Sequence, residues 1–287
     1  MLTRASKCPT KILQEAAKFV LDHENFLKMN LPLCIDPMEV SKALAASDSW
    51  FVLANVQPSA VFKLEISGRI AVVSQILASN DMLPTIAAEL RKEIRSLKAS
   101  SLTLRVPPGE VELWAGNGFQ RGLTYVKFSR APERNNVMPL LPLTNASRKE
   151  LPILSQLMYA PYSKTDESFP DVHTAEALLR ATMSGVRGTY LRDASFVSGA
   201  PPNLVSACLL TVDSPGEAKI DRLFTHPLYR ARGLATAEIA AAMNQLSQAG
   251  VKRLSAWNRE SNEVAKRLLA KMEFTQQSTA VEMSGSL

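Results

Sequence analysis

Short apolar runs recur in the same order in both halves of the chain. In the second half, residues 147–160 and 174–186 carry helical spacing, and residues 190–199, 203–213 and 218–226 read as three strands. The two loops between those strands hold Gly or Pro, as hairpin loops often do. A helix follows over 233–249 with Ala235, Ile239, Met243 and Leu246 on one face, and Gly250 takes the place of a C-terminal cap glycine. A strand over 252–258, a helix over 261–273 opened by Ser261, and a strand over 274–283 complete the order. The first half predicts strands over 50–56, 60–67 and 69–77, a helix over 84–100, a strand over 101–106, a helical turn over 108–118 and a strand over 119–129. Leu102 and Leu254 lie 152 positions apart, and Phe119 and Phe274 lie 155 apart. Two anchors at nearly one offset predict duplication of a whole domain, not a solenoid.

Hairpins that lead into a strand–helix–strand crossover predict an α+β fold. The sheet is mixed and mostly antiparallel, flanked by helices, and the crossover is right-handed. Residues 129–150 carry three prolines and three asparagines without periodicity and read as a linker. The expected division is a first domain over 1–130, a linker over 131–146 and a second domain over 147–287.

Composition narrows the classes. Of 287 residues, 46% are hydrophobic and 21% charged, an ordinary globular mix that can bury a sizeable core. No apolar run reaches the ~18–20 residues of a membrane span. The first twenty residues lack the long apolar stretch of a secretory signal and read as a folded helix. Cys8, Cys34 and Cys208 form no CxxC pair and no metal spacing, which fits a reducing cytoplasm. The net charge of +6 admits a phosphate-bearing ligand. With no aromatic-basic stripe or zinc motif, nucleic acid is not the expected partner.

The chemistry concentrates in His226–Ala240, "HPLYRARGLATAEIA". A strand, a loop and a helix in that order put the loop at a helix N-terminus, where unpaired amides and the helix dipole favour an anion. Gly233 allows close backbone approach, and Ala235 is small. Arg230 and Arg232 add forked donors suited to phosphate. The chain contains neither G-x-x-x-x-G-K-[ST] nor G-x-G-x-x-G.

Arg230-Ala231-Arg232-Gly233-Leu234-Ala235 matches R/Q-x-x-G-x-G/A. After a strand in which Leu223 and Pro227 fit L-x-V-x-P, with Thr225 in place of Val, it resembles motif A of the GCN5-related N-acetyltransferases, the GNAT family. Asn262, Ala265, Leu268 and Phe274 continue the register, so the resemblance covers residues 150–287. It implies an acetyl-CoA site. The loop from Arg230 and Ala231 through the amides of Arg232, Gly233, Leu234, Ala235 and Thr236 would hold the pyrophosphate. Leu223, Phe224 and Thr225 would pair with the pantetheine arm, and Asn262 would touch the cofactor.

Acetyl transfer to an amine requires loss of the amine proton, a donor for the oxyanion and a proton or other help for the leaving thiolate. Asp221 is the candidate base, with His226 as the alternative. An amide near Thr225 is the oxyanion donor. Leu269 stands where the family has its acidic Tyr, and Glu273 where it has Gly. Tyr229 is then the candidate acid, with Tyr190 next. In the first half the matching loop, Ala78–Pro84, has neither Gly nor Arg. Asp81 would repel an anion, Pro84 lacks an amide, and Arg69 stands at the position of Asp221. Gly118 and Phe119 keep the G-F corner with Trp114 at the Tyr position, so this half reads as a degenerate GNAT copy. The whole reads as a tandem-GNAT N-acetyltransferase that moves acetyl directly from acetyl-CoA to a primary amine, borne by a small molecule or peptide. Acceptor selection falls to Tyr159–Phe169, and the acceptor and oligomeric state stay open. The alternatives are a non-catalytic acyl-CoA-binding protein and a tRNA-dependent aminoacyl transferase of tandem-GNAT type.

Overall fold

The computed structural model describes residues 2–22, 37–45, 50–54, 58–67, 70–78, 82–96, 99–162, 171–185, 187–214 and 216–286. Cys34, Arg69, residues 79–81 of the first-half loop and residues 163–170 of the acceptor segment lie outside them. The chain forms two compact units. One is Met1–Lys127, Arg259–Asn262 and Ser278–Leu287; the other is Phe128–Asn258 and Glu263–Gln277.

In the first unit, β1 (Leu2–Arg4), β2 (Trp50–Ala54), β3 (Pro58–Ser67) and β4 (Ile70–Ala78) pair antiparallel in turn. Helices α1 (Thr10–Asp22) and α2 (Pro37–Ala45) bury Leu13, Val20, Val40 and Leu44 against Val61 of β3. Helix α3 (Leu83–Ser96) carries the chain to β5 (Ser101–Val106), parallel to β4. Its residues Leu83, Ile86, Leu90 and Ile94 recur every three to four positions, and this stripe is buried with Leu102 and Leu104. Helix α4 (Val111–Gly116) and β6 (Gln120–Arg130) follow.

In the second unit, β7 (Leu143–Asn145) forms within the expected linker and pairs antiparallel with residues 198–196. Helices α5 (Leu151–Tyr162) and α6 (Val172–Ser184) precede β8 (Thr189–Tyr190), β9 (Phe196–Ala200), β10 (Asn203–Ser214) and β11 (Glu217–Thr225). The single strand predicted over 190–199 is interrupted by a 3-10 turn at Arg192–Ala194. Ser195 stabilises the break: its hydroxyl donates to Leu191 O at 2.8 Å and accepts from Leu210 N at 2.9 Å. Leu154, Leu157, Met158 and Leu179 of α5 and α6 pack on Val197, Leu209 and Phe224. Helix α7 (Leu234–Gln248) packs on β9, β10 and β11 and leads into β12 (Arg253–Arg259), parallel to β11. Helix α8 (Glu263–Lys271) starts one residue later than a Ser261 cap would require.

The last strand, β13 (Thr275–Ser286), differs from expectation. Residues 281–286 pair antiparallel with 106–101 of β5, and Val281 and Met283 enter the core of the first unit. Residues 278–287, read in sequence with the second domain, therefore belong to the first unit.

Both units repeat antiparallel strands, a crossover helix and a parallel strand. The G-F corner repeats bond for bond. Gly118 N donates to Ala115 O at 2.9 Å and Phe119 N to Trp114 O at 3.2 Å; Glu273 N donates to Ala270 O at 2.9 Å and Phe274 N to Leu269 O at 2.9 Å. Gly118 has φ +80° and Glu273 has φ +60°. The left-handed corner is thus kept where glycine is absent, a conformation an L side chain adopts at a cost. Among the described residues no helix is long and apolar enough to cross a membrane.

Candidate functional site

The parallel register of β11 and β12 covers Glu217–Ile220 and Arg253–Ala256, although β11 runs on to Thr225 and β12 to Arg259. On its other side β11 slips register against β10 at Asp221, a bulge that re-aims the strand. A parallel ladder that stops midway lets the C-terminal strand ends diverge, the place where open sheets receive ligands.

After Thr225 the chain is pinned by His226 N donating to Val205 O at 2.8 Å, and a 3-10 turn spans Pro227–Tyr229. Arg232 is then flanked by two left-handed residues, Ala231 (φ +59°) and Gly233 (φ +79°). Such a conformation turns successive amides toward one side, as an anion-binding nest does. Gly233 caps α7 without any side-chain bond, and Ala237 N donates to Gly233 O at 3.0 Å to close the first turn. A Cβ placed on Gly233 would meet nothing within 4 Å. Arg230, Ala231, Arg232 and Gly233 are exposed, Ala235 and Thr236 half-buried, and Leu234 anchors the helix in the core. The start of α7 is therefore exposed, with its dipole and two exposed arginines close by in sequence, an arrangement that suits an anion.

Asp221 stands apart from the base role expected of it. Its side chain is 2% exposed, with Arg187 Nε at 3.1 Å and Lys219 Nζ at 3.9 Å. Thr182 Oγ1 donates to it at 2.6 Å. Burial alone would raise its pKa. The charges of Arg222, Arg187 and Lys219 and the Thr182 bond outweigh burial and hold the carboxyl at about 2. A carboxylate so stabilised is a poor acceptor for an ammonium proton. His226 Nδ1 accepts from Leu228 N at 3.3 Å, which places the proton of the neutral ring on Nε2.

Tyr229 packs its ring edge-on to His226, centroids 5.8 Å apart, and Arg232 Cζ lies 5.2 Å from its centroid. That ring shapes the turn. Tyr190 donates its hydroxyl to Ala146 O at 3.0 Å, and burial pushes its pKa up to about 12. Leu269 is buried, the one buried residue of α8. Asn262 immediately precedes α8, and its amide donates to Arg259 O at 3.0 Å.

Sequence reasoning missed Glu238. It is fully buried on α7, where Ser198 Oγ donates to Oε1 at 2.6 Å and Ser206 Oγ to Oε2 at 2.9 Å. Burial raises its pKa to about 8, with the Ser198 and Ser206 bonds opposing the rise. The signal was present: Glu238 falls four residues after Leu234 and four before Ala242, on the inward row of the helix.

Residues 162–274 match the model of the acetyltransferase (GNAT) family. A GCN5-related N-acetyltransferase from Sphaerobacter thermophilus superposes with a TM-score of 0.70 at 12% identity, covering 100% of this chain and 95% of that one. A tandem GNAT protein from the clavulanic acid biosynthesis pathway gives 0.66 at 15% identity, covering 100% and 97%. A GCN5-related N-acetyltransferase from Kribbella flavida gives 0.54 at 14% identity, covering 82% and 89%. No curated protein matches in sequence. The family match thus spans residues 162–274, and the fold of the whole chain is that of the tandem GNAT structures.

Proposed function

We propose that the second unit binds acetyl-CoA and passes its acetyl group directly to a primary amine of a small molecule or peptide. The observation that carries this reading is the start of α7, where left-handed Gly233 opens a cradle between Arg230, Arg232 and the first helix amides. The amides of Arg232–Thr236 hold the pyrophosphate, and Leu223–Thr225 of β11 receive the pantetheine arm as an added strand. Asn262 completes the cofactor contacts. The thioester supplies an activated acyl carbon and a thiolate leaving group.

Direct transfer fits the cysteines. Cys208 stands opposite Leu223 in the sheet, but burial pushes its thiol well up, which disfavours a thiolate nucleophile. Since Asp221 is held ionised by cations and His226 Nδ1 is occupied by the Leu228 amide, we assign amine deprotonation to solvent. Tyr229 shapes the loop.

A second reading, a non-catalytic acyl-CoA-binding protein, is favoured by buried Leu269 in place of a proton donor and by the locked Asp221. Thiol release from acetyl-CoA across a broad panel of primary amines separates the two. Transfer predicts amine-dependent release with formation of the acetylamide. CoA binding with no release above background for any amine supports the binding protein.

A further inference from the structure

We propose that Glu238, Ser206 and Thr225 form a proton relay that ends at Thr225 Oγ1 and serves the leaving thiolate, the task Leu269 cannot perform. This rests on the acetyl-transfer reading of the second unit.

Ser206 of β10 and Thr225 of β11 stand directly opposite in the antiparallel register, with their hydroxyls 2.8 Å apart. Ser206 Oγ also lies 2.9 Å from Glu238 Oε2 and 3.2 Å from Phe224 O. Ser198 gives Glu238 its hydroxyl at Oε1 and also its backbone amide. With Oε1 taken by the Ser198 hydroxyl, the acidic proton sits on Oε2, facing Ser206.

Each hydroxyl has one proton, so the state of Glu238 sets the direction of the chain. When Glu238 is protonated, Oε2 donates to Ser206, Ser206 donates to Thr225, and the Thr225 proton is free to turn outward. When Glu238 is ionised, Ser206 donates to Oε2 and Thr225 donates to Ser206, so Thr225 presents only lone pairs. Thr225 is half-buried and is the last residue of β11, at the mouth of the phosphate loop.

The relay balances. The C–S bond breaks and the thiolate takes its electron pair. Thr225 Oγ1 gives its proton to sulfur, Ser206 reprotonates Thr225, and Glu238 reprotonates Ser206. The Glu238 carboxylate then recovers a proton from water, which has received the proton lost by the amine.

The surroundings leave Glu238 to set its own charge. It is the only charged residue of α7. From β9 it meets Ser198, and from β10 Ser206 and Cys208, whose thiol is itself held protonated. On β11, Lys219, Asp221 and Arg222 are grouped in the ion-pair cluster around Asp221, and Arg253 of β12 lies 3.8 Å from Glu217. Arg192 and Asp193, on the 3-10 turn packed against α7, are exposed. Burial keeps the proton on Glu238 to about pH 8.

The test compares wild type, Glu238→Gln, Ser206→Ala and Thr225→Val in three measurements. Infrared titration of the protein alone should show a protonated carboxyl band at pH 7 that disappears through about pH 8 and is missing in Glu238→Gln. Acetyl-CoA affinity by calorimetry should stay within about twofold for Glu238→Gln and Ser206→Ala. Their kcat should fall by about 100-fold, the scale of a lost general acid, and the alkaline limb of the kcat–pH profile should vanish. Thr225→Val, which keeps shape without the hydroxyl, should fall with them. The relay is overturned if the band is absent at pH 7, or if Glu238→Gln keeps the wild-type kcat and alkaline limb. Failure of the underlying reading looks different: wild type itself then releases no thiol with any amine, which overturns both.

Discussion

Arg187 Nε lies 3.1 Å from Asp221 Oδ1 and 3.2 Å from Oδ2, joining the segment after α6 to the bulge of β11. The pair positions the strand that leads into the Pro227–Gly233 loop before α7. Removing one partner of a buried ion pair leaves an uncompensated charge, at about 3–5 kcal/mol. Arg187 is 34% exposed, which lowers the cost. Asp221→Asn should therefore destabilise the protein by about 2–3 kcal/mol in urea unfolding and leave the shape of the kcat–pH profile unchanged. Because the folded pKa is depressed to about 2, the carboxylate contributes stability above the ordinary carboxylate pKa. That contribution is lost as pH falls through about 2, so wild type and variant should converge in acid.

Glu238 carries the opposite sign. Its folded pKa, about 8, lies above the ordinary 4.5. The stability linked to the buried proton is present in full below 4.5 and is lost as pH rises through 8. Thermal melts should show wild type losing stability from pH 5 to pH 8 relative to Glu238→Gln, with the variant more stable at pH 9. Parallel curves for the two proteins would refute the buried proton.

Gly285 of β13 packs against the first unit's corner. A Cβ there would approach Phe119 Cε1 at 2.8 Å, and Phe119 stands edge-on to Trp114 with centroids 5.2 Å apart. Gly285→Val should cost about 1–3 kcal/mol through overpacking. In hydrogen exchange, the lost protection should fall on β4, β5 and α3 rather than on β9–β11. Loss confined to the second unit would contradict the placement of the last strand.

Local signals made much of this architecture legible. The apolar rows of α3 and α7, the β10–β11 hairpin and the paired G-F corners all follow from spacing within a dozen residues. The loop was legible because Gly233 and its arginines act on the backbone where they stand. Three features depend on distant partners. Asp221 resembles a strand-end base until Arg187, Lys219 and Thr182 surround it. Glu238 reads as a helix-surface residue until its inward row and the two serines are seen together. The last strand follows the second domain in sequence, yet the edge it completes belongs to β5.

A diphosphate held at the turn of Gly233 is tested by calorimetric titration of acetyl-CoA into wild type and Gly233→Asp. Gly233→Ala serves as the control for strain, since its left-handed φ costs any side chain about 1–2 kcal/mol of stability. Binding should be saturable in wild type, retained in folded Gly233→Ala, and weakened at least about 100-fold, or about 2.8 kcal/mol, in folded Gly233→Asp. Equal affinity of wild type and folded Gly233→Asp would contradict a diphosphate at this turn.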